Sequence, residues 1–163
     1  MPATWDDRIE SVWSDDTLSD AERIPCIDAL AAERPADDPA ALLERAGARD
    51  SAGLEAEAEE LYVRALAGGL DEDRRTQAVI QLASTIRNLG RVDESLAMLR
   101  EEYDRADASP MRDAVAAFYA LALASSGDPV AAASIAITTL APHLPRSTRS
   151  VTAYAEELLH DRT

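Results

Sequence analysis

The sequence contains no lysine, only one cysteine and few aromatic residues, which occupy 4% of its 163 positions. The single cysteine, Cys26, cannot form a disulfide bond within the chain, so a disulfide-stapled secreted scaffold is not expected. Strands favour aromatic and β-branched side chains, and the shortage of aromatic residues therefore disfavours a β-sandwich. Alanine instead fills about a fifth of the chain. Because alanine is the strongest helix former, this composition favours closely packed helices.

Positive charge and long apolar runs are scarce as well. All 16 basic residues are arginine and the formal net charge is -15, so a general affinity for nucleic acid or an anionic membrane is not expected. No apolar run approaches the roughly 20 residues of a membrane-spanning helix. The segment Met1–Asp7 also lacks the basic and apolar regions of a signal peptide. We therefore expect a cytoplasmic protein that binds neither nucleic acid nor membrane.

Glycines recur at a fixed interval along the chain. Gly53, Gly90 and Gly127 are 37 residues apart, and each follows a segment with apolar residues at helical spacing. Glycine is favoured immediately after a helix because it adopts the left-handed conformation at little cost. A repeat of this length predicts pairs of helices that stack on their neighbours, since one pair cannot bury its apolar side alone.

Helix starts are marked by capping residues. Asp38, Ser109 and Asp128 each precede a proline, an arrangement typical of an N-cap followed by the first helical residue. Ser19-Asp20-Ala21-Glu22 has the spacing of a capping box, and Pro25 is expected to kink the following helix or delay its start. With the apolar periodicity, these signals predict nine helices near residues 4–13, 19–33, 39–51, 54–67, 73–89, 92–106, 110–125, 129–141 and 147–161.

The predicted fold class is all-α, a short right-handed superhelical solenoid of antiparallel helix pairs. No alternation of apolar and polar residues is long enough to predict a sheet. We expect a single domain over residues 1–163. Its predicted parts are an N-terminal helix pair at 4–33, repeats at 39–70, 73–107 and 110–141, and a C-terminal capping helix at 147–161.

Several positions resemble those of the tetratricopeptide repeat, which pairs two antiparallel helices with small residues where they cross. These positions are Ala58, Tyr62, Ala65, Leu66, Leu82, Ala83 and Ala132, with Trp5 where the family favours tryptophan if the register is extended backward. The repeat is longer than the usual roughly 34 residues, and Ser95 and Glu102 depart from the pattern.

The stretch from Asp38 to about Leu159 is also similar to a bacterial subgroup common in actinobacteria, the tetratrico peptide repeat group five domain. The segments that carry this likeness are 49–53, 77–90 and 140–146. The resemblance implies a tetratricopeptide-like fold and protein interaction, and it implies no reaction.

No residue pattern nominates a catalytic or metal site. Glu157 and His160 have the Glu-x-x-His spacing of di-iron bundles, but the motif occurs once and His143 is the only other histidine. Cys26 has neither a second cysteine nor a positioned base nearby, so a buried structural role is expected. The glutamates at 55, 57, 59 and 60 are typical of a solvated helix start. We predict no enzymatic activity, no cofactor and no bound metal.

The helix predicted at 73–89 carries a stripe of polar side chains, mostly uncharged, in a sequence otherwise rich in carboxylates. The predicted core side of the helix is formed by Val79, Leu82, Ile86 and Leu89. Amides both donate and accept hydrogen bonds, which suits the main chain of a bound peptide. The polar stripe, our predicted partner-binding set, consists of Arg74, Gln77, Gln81, Ser84, Arg87 and Asn88. The resemblance implies that it lines a concave groove with Leu43, Gly47 and Asp50 in the first full repeat and Ala117 and Leu121 in the third.

The predicted function is a non-catalytic adaptor or scaffold that binds a protein or peptide. Arg74, Arg75 and Arg87, with Arg45 and Arg49, are predicted to converge and to favour an acidic side chain or a free carboxylate. Alternatively, these arginines neutralise the chain's own carboxylates, and the stripe packs against polar neighbours. A second function stays open, a self-associating structural protein that forms a homodimer through its terminal helices or its two tryptophans.

Overall fold

The computed structural model describes residues 2–106 and 109–160, and within these ranges the chain is helical with no β-strand. This confirms the predicted all-α class. None of the described helices is long and apolar enough to cross a membrane. The nine described α-helices are α1 (Trp5–Trp13), α2 (Asp20–Ala31), α3 (Pro39–Ser51), α4 (Glu55–Ala67), α5 (Glu72–Asn88), α6 (Val92–Arg105), α7 (Arg112–Ser125), α8 (Pro129–Leu140) and α9 (Thr148–His160), with a 3₁₀ turn at Ala141–His143.

Three of the four predicted capping residues start their helices. Ser19 and Glu22 form a capping box before α2, and the helix begins at Asp20, so Pro25 does not delay it. Asp38 and Asp128 cap α3 and α8, each followed by proline at the first helical position. These side-chain oxygens satisfy backbone N–H groups that have no partner inside the helix.

The predicted start of α7 is wrong by two residues. The Ser109-Pro110 pair does not cap this helix, which begins at Arg112 after Met111. The Ser109 hydroxyl instead accepts a hydrogen bond from the backbone N–H of Met111, 3.0 Å away, so it closes a local turn. The predicted end of the last helix at residue 161 lies outside the described residues.

The three regularly spaced glycines all have positive φ angles. Gly53, Gly90 and Gly127 have φ values of 75°, 87° and 90°, which place each in the left-handed region after a helix. Side chains with a Cβ atom rarely adopt this conformation, so glycine allows the chain to turn within a few residues. The 37-residue spacing therefore marks real helix ends.

The helices form two compact units, one ending at Leu89 and the other beginning at Gly90. The predicted repeat 73–107 thus has its first helix in the N-terminal unit and its second in the C-terminal unit. In the N-terminal unit each helix from α1 to α5 packs on the next, and α3 also contacts α5. Alanines fill its tightest contacts, with Ala46, Ala58 and Ala78 wholly buried.

The C-terminal unit contains α6 to α9, each packed on the next. Leu99, Val115 and Leu123 are among its buried apolar residues, and the Tyr103 and Tyr119 rings stack at 5.2 Å between centroids. Ser95 and Glu102, which depart from the repeat pattern, are also buried.

The core side of α5 was predicted correctly except at its end. Val79, Leu82 and Ile86 are buried, but Leu89 is 42% exposed because the helix ends at Asn88 and the chain turns away at Gly90.

We expect Leu82→Ala to lower the free energy of unfolding by about 2–4 kcal/mol, because the side chain is almost fully buried and its loss leaves a cavity. The matched control is Leu121→Ala in the middle of α7, where the leucine is 50% exposed and a change within about 0.5 kcal/mol is expected. Urea denaturation followed by circular dichroism measures both. Equal losses in the two variants would contradict the packing described for α5.

Candidate functional site

A pocket of about 450 Å³ opens in the N-terminal unit between α1, α3 and α5. Apolar side chains and carboxylates alternate around it, and polar residues of α5 form one wall. Its lining residues are Asp6, Ile9, Glu10 and Trp13 from α1, Leu43, Glu44, Gly47, Asp50 and Ser51 from α3, and Arg74, Gln77 and Gln81 from α5.

The apolar part of the pocket includes a glycine inside α3, at the contact with Trp13. A Cβ atom at Gly47 would lie 3.4 Å from the ring of Trp13, so the ring packs against the bare backbone of α3. Glycine costs about 1 kcal/mol relative to alanine within a helix. At position 47, glycine lets the Trp13 ring pack directly on the backbone of α3. Ile9 and Leu43 are buried beside the same space.

Glu44 is held in the pocket by the same tryptophan. The Trp13 indole N–H donates to Glu44 Oε2 at 2.7 Å. Burial raises the pKa of Glu44, an effect opposed by this hydrogen bond and by the charge of Arg74 and reinforced by Asp6 and Glu10. The net increase in pKa means that the interactions of the ionised carboxylate in the pocket do not fully replace its lost hydration.

Asp50 forms a second partly buried carboxyl group in the pocket. Tyr62 donates a hydrogen bond to Asp50 Oδ2 at 3.4 Å. The hydroxyl of Thr85 donates to the Gln81 carbonyl at 2.9 Å and lies near the same carboxyl. Burial raises the pKa of Asp50, although both hydroxyls act in the opposite direction. Burial also raises the pKa of Tyr62, so its phenol stays protonated and remains a donor.

Arg74 is the one basic residue among the described lining residues, and two carboxylates already hold it. Its guanidinium lies 2.8 Å from Asp6 of α1 and 3.0 Å from Asp71, the N-cap of α5. The arginine therefore connects α5 to α1 at the pocket.

The two glutamines of the stripe differ in their surroundings. Gln77 is exposed, whereas Gln81 is partly buried. The side-chain oxygen of Gln81 is buried and accepts no hydrogen bond from the described residues. A buried acceptor without a donor costs free energy, so the amide of Gln81 gains if it turns to meet a donor.

The structure brings together half of the predicted partner-binding set. Arg74, Gln77 and Gln81 line the pocket with Leu43, Gly47 and Asp50, which the repeat register also assigned to the groove. Ser84, Arg87 and Asn88 lie further along α5 and do not line it. Arg87 donates to the Ser84 hydroxyl at 3.4 Å, and Asn88 is exposed. Ala117 and Leu121, assigned to the third repeat, are exposed on α7 of the C-terminal unit.

The predicted convergence of arginines is wrong. Arg45 and Arg49 both bind Asp28 of α2, at 2.9 Å each, and neither lines the pocket. Burial opposes ionisation of Asp28, but the hydrogen bonds from Arg49 and Arg45 outweigh it and lower its pKa. Arg75 lies 3.3 Å from Glu72, one turn away. The arginines are thus used mainly in ion pairs inside the chain.

The other candidate residues stay apart from one another. His143 pairs with Asp113 at 2.9 Å on the surface, and His160 Nδ1 lies 3.0 Å from the backbone oxygen of Glu156. No group of three potential ligands among residues 2–106 and 109–160 is placed to hold a metal ion. Cys26 is free and only partly buried, contrary to the expected full burial.

The sequence analysis did not identify the α1 residues that line the pocket, nor Glu44 of α3. No local motif predicts that Asp6, Glu10 and Trp13 meet the third helix, because this contact depends on packing across α2. One signal was available. A glycine inside a strongly helical segment, as at position 47, often marks a close approach by another element.

The profile of the family described as tetratrico peptide repeat, group 5, matches residues 39–158. Helices α3 to α8 and most of α9 fall within this segment, whereas α1 and α2 precede it. No curated protein matches the sequence.

We expect Glu44→Gln to raise the melting temperature of the protein at pH 7. Glutamine keeps an acceptor for Trp13 and removes a charge that burial disfavours. Because the pKa of Glu44 is raised above its usual 4.5 in the folded protein, the destabilisation is present at pH 7. It disappears as the pH falls through the raised pKa towards 4.5.

The melting temperatures of wild type and Glu44→Gln should therefore converge as the pH is lowered from 7 towards 4.5. Glu60→Gln, at an exposed glutamate of α4 outside the pocket, is the control and should show no such pH-dependent difference. A lower melting temperature for Glu44→Gln at pH 7 would mean that the ionised carboxylate stabilises the fold.

Proposed function

This chain belongs to the tetratrico peptide repeat family, and we propose that it is a non-catalytic adaptor or scaffold module. Members of the family commonly mediate protein–protein interaction. In this proposal, a segment of a partner protein binds over the α1/α3/α5 pocket of the N-terminal unit.

The observation that carries the proposal is the pocket itself. It combines an apolar surface from Ile9, Leu43 and Trp13 with the amides of Gln77 and Gln81. Apolar surface provides affinity for a side chain, whereas amides provide donors and acceptors for a main chain. Peptide recognition needs both contributions at one place.

The geometry favours binding over catalysis. Glu44 and Asp50, the two partly buried carboxyls of the pocket, are held by Trp13 and by Tyr62 with hydrogen bonds that position them as parts of the fold. A catalytic site needs a nucleophile or a base with a partner that activates it. The pocket lining contains no histidine, cysteine or lysine to take either role.

The acidic ligand predicted from the arginines loses its support in this arrangement. Arg74 is paired with Asp6 and Asp71, and Arg45 and Arg49 with Asp28. An acidic peptide would therefore have to displace carboxylates that are already in place. We propose a partner segment without an acidic group at the pocket.

Self-association is a second candidate function. Its support is α9, which exposes Tyr154 at 65%, Leu159 at 43% and Leu158 at 36%. The two tryptophans give it less support, because the indole of Trp5 donates to the Leu30 carbonyl and that of Trp13 to Glu44. Light scattering over a hundredfold range of concentration distinguishes the candidates, since a dimer through α9 would raise the mass and a monomeric adaptor would not.

Peptides selected from a random displayed library should bind the wild-type protein with dissociation constants on the order of micromolar. We expect Gln77→Trp to weaken them at least about tenfold, since a large ring at this exposed edge fills the pocket opening. Fluorescence polarisation with the synthetic peptides measures the affinities.

Ala117→Trp is the matched control, because it adds the same ring at an exposed position of α7 outside the pocket. It should leave peptide affinity unchanged, and both variants should melt within a few degrees of the parent. The proposal fails if no peptide is enriched over an unrelated immobilised protein, or if the enriched peptides bind Gln77→Trp as tightly as wild type.

A further inference from the structure

The α1/α3/α5 pocket has an excess of negative charge. Four carboxylates line it, from Asp6, Glu10, Glu44 and Asp50, against the single guanidinium of Arg74. Arg74 is already shared between Asp6 and Asp71, so its charge is largely balanced before any ligand enters. The pocket lining therefore attracts positive charge and repels negative charge.

The apolar lining suits the methylene stem of a long side chain with a charged end. Ile9 and Leu43 are buried beneath the pocket, and the Trp13 ring packs between α1 and α3 at Gly47. Lysine and arginine carry three or four methylene groups that pack on apolar surface while the head group reaches polar partners. An indole ring adds attraction for a cation above it.

The unpartnered oxygen of Gln81 provides an independent observation. It is buried, it accepts no hydrogen bond from the described residues, and the residue that carries it lines the pocket. Because the oxygen is buried, the amide has to turn towards the pocket before an incoming N–H donor can satisfy it, and a carboxylate could not satisfy it in any orientation. Ammonium and guanidinium groups have donors only, which matches an acceptor-rich lining.

We propose that this pocket binds the side chain of a lysine or arginine of the partner segment. The inference rests on the proposed function, and it identifies the chemistry of the residue that the pocket selects. The head group lies among Glu44, Asp50 and the Gln81 oxygen, and the methylene stem lies on Ile9, Leu43 and Trp13. Asp6, Glu10 and Trp13 precede residue 39, so this preference is a property of the chain and not of its repeat segment alone.

The two tryptophans allow a direct test on the whole protein. Trp13 lies in the pocket, whereas Trp5 donates to Leu30 and does not line it, so Trp5 is an internal reference. The protein is labelled with nitrogen-15, and the two indole N–H signals are assigned with Trp5→Phe. The probes are the Nα-acetyl N-methylamides of lysine, arginine, norleucine and glutamate, each titrated into the tens of millimolar.

We expect lysine and arginine probes to shift the Trp13 signal in a saturable way, at least about fivefold more than norleucine at equal concentration. The glutamate probe should shift it no more than norleucine, and Trp5 should not move with any probe. In Glu44→Gln the shift caused by the cations should fall at least about threefold, while Glu60→Gln should respond as wild type.

Three results would overturn the inference: no saturable shift with either cation, an equal shift with norleucine, or a full response in Glu44→Gln. A separate measurement keeps this result distinct from the proposed function. In the selected peptides, each lysine or arginine is replaced by norleucine, and affinity is remeasured. Peptides that require Gln77 but tolerate every such replacement would leave the adaptor proposal intact and contradict the cation preference.

Discussion

The pocket forms where side chains of α1 reach α3, and a contact of Trp13 joins the two helices there. The Trp13 ring packs on Gly47, where even a methyl group would lie against it. The hydrogen bond from its indole to Glu44 then fixes how the ring is oriented. A larger residue at position 47 would push α1 outward, and the apolar surface, the buried glutamate and the position of Asp6 beside Arg74 would all change together.

The strong negative charge of the chain explains how its arginines are used. With a formal charge of -15, carboxylates greatly outnumber guanidinium groups in the chain. Arg49 binds Asp28, Arg8 binds Glu33 and Arg74 binds Asp6, so these pairs connect α3 to α2, α1 to the end of α2, and α5 to α1. These arginines act as cross-links between helices, and the pocket keeps an excess of carboxylate.

Local chemistry in the sequence was enough to predict the helices, but it could not predict which side chains meet. The side chains of Ser19, Asp38 and Asp128 cap their helices by accepting a hydrogen bond from a backbone N–H three residues further on. Gly53 and Gly90 each follow the end of a helix and turn the chain there through a positive φ angle. Such interactions can be recognised in any short window.

The pairing of Arg49 with Asp28 spans 21 residues, and the contact of Trp13 with Glu44 spans 31. Both depend on how three helices pack, so the charge of the pocket became clear only from the fold.

The α1 residues that line the pocket also have a consequence for how such proteins diverge. Because α1 precedes the family segment, substitutions in this one short helix would, under the proposed binding mode, alter ligand preference while the repeat helices keep their own packing. Relatives that share Glu44, Gly47 and Gln81 but differ at position 13 would then form groups with different partners, a division that repeat sequences alone would not reveal.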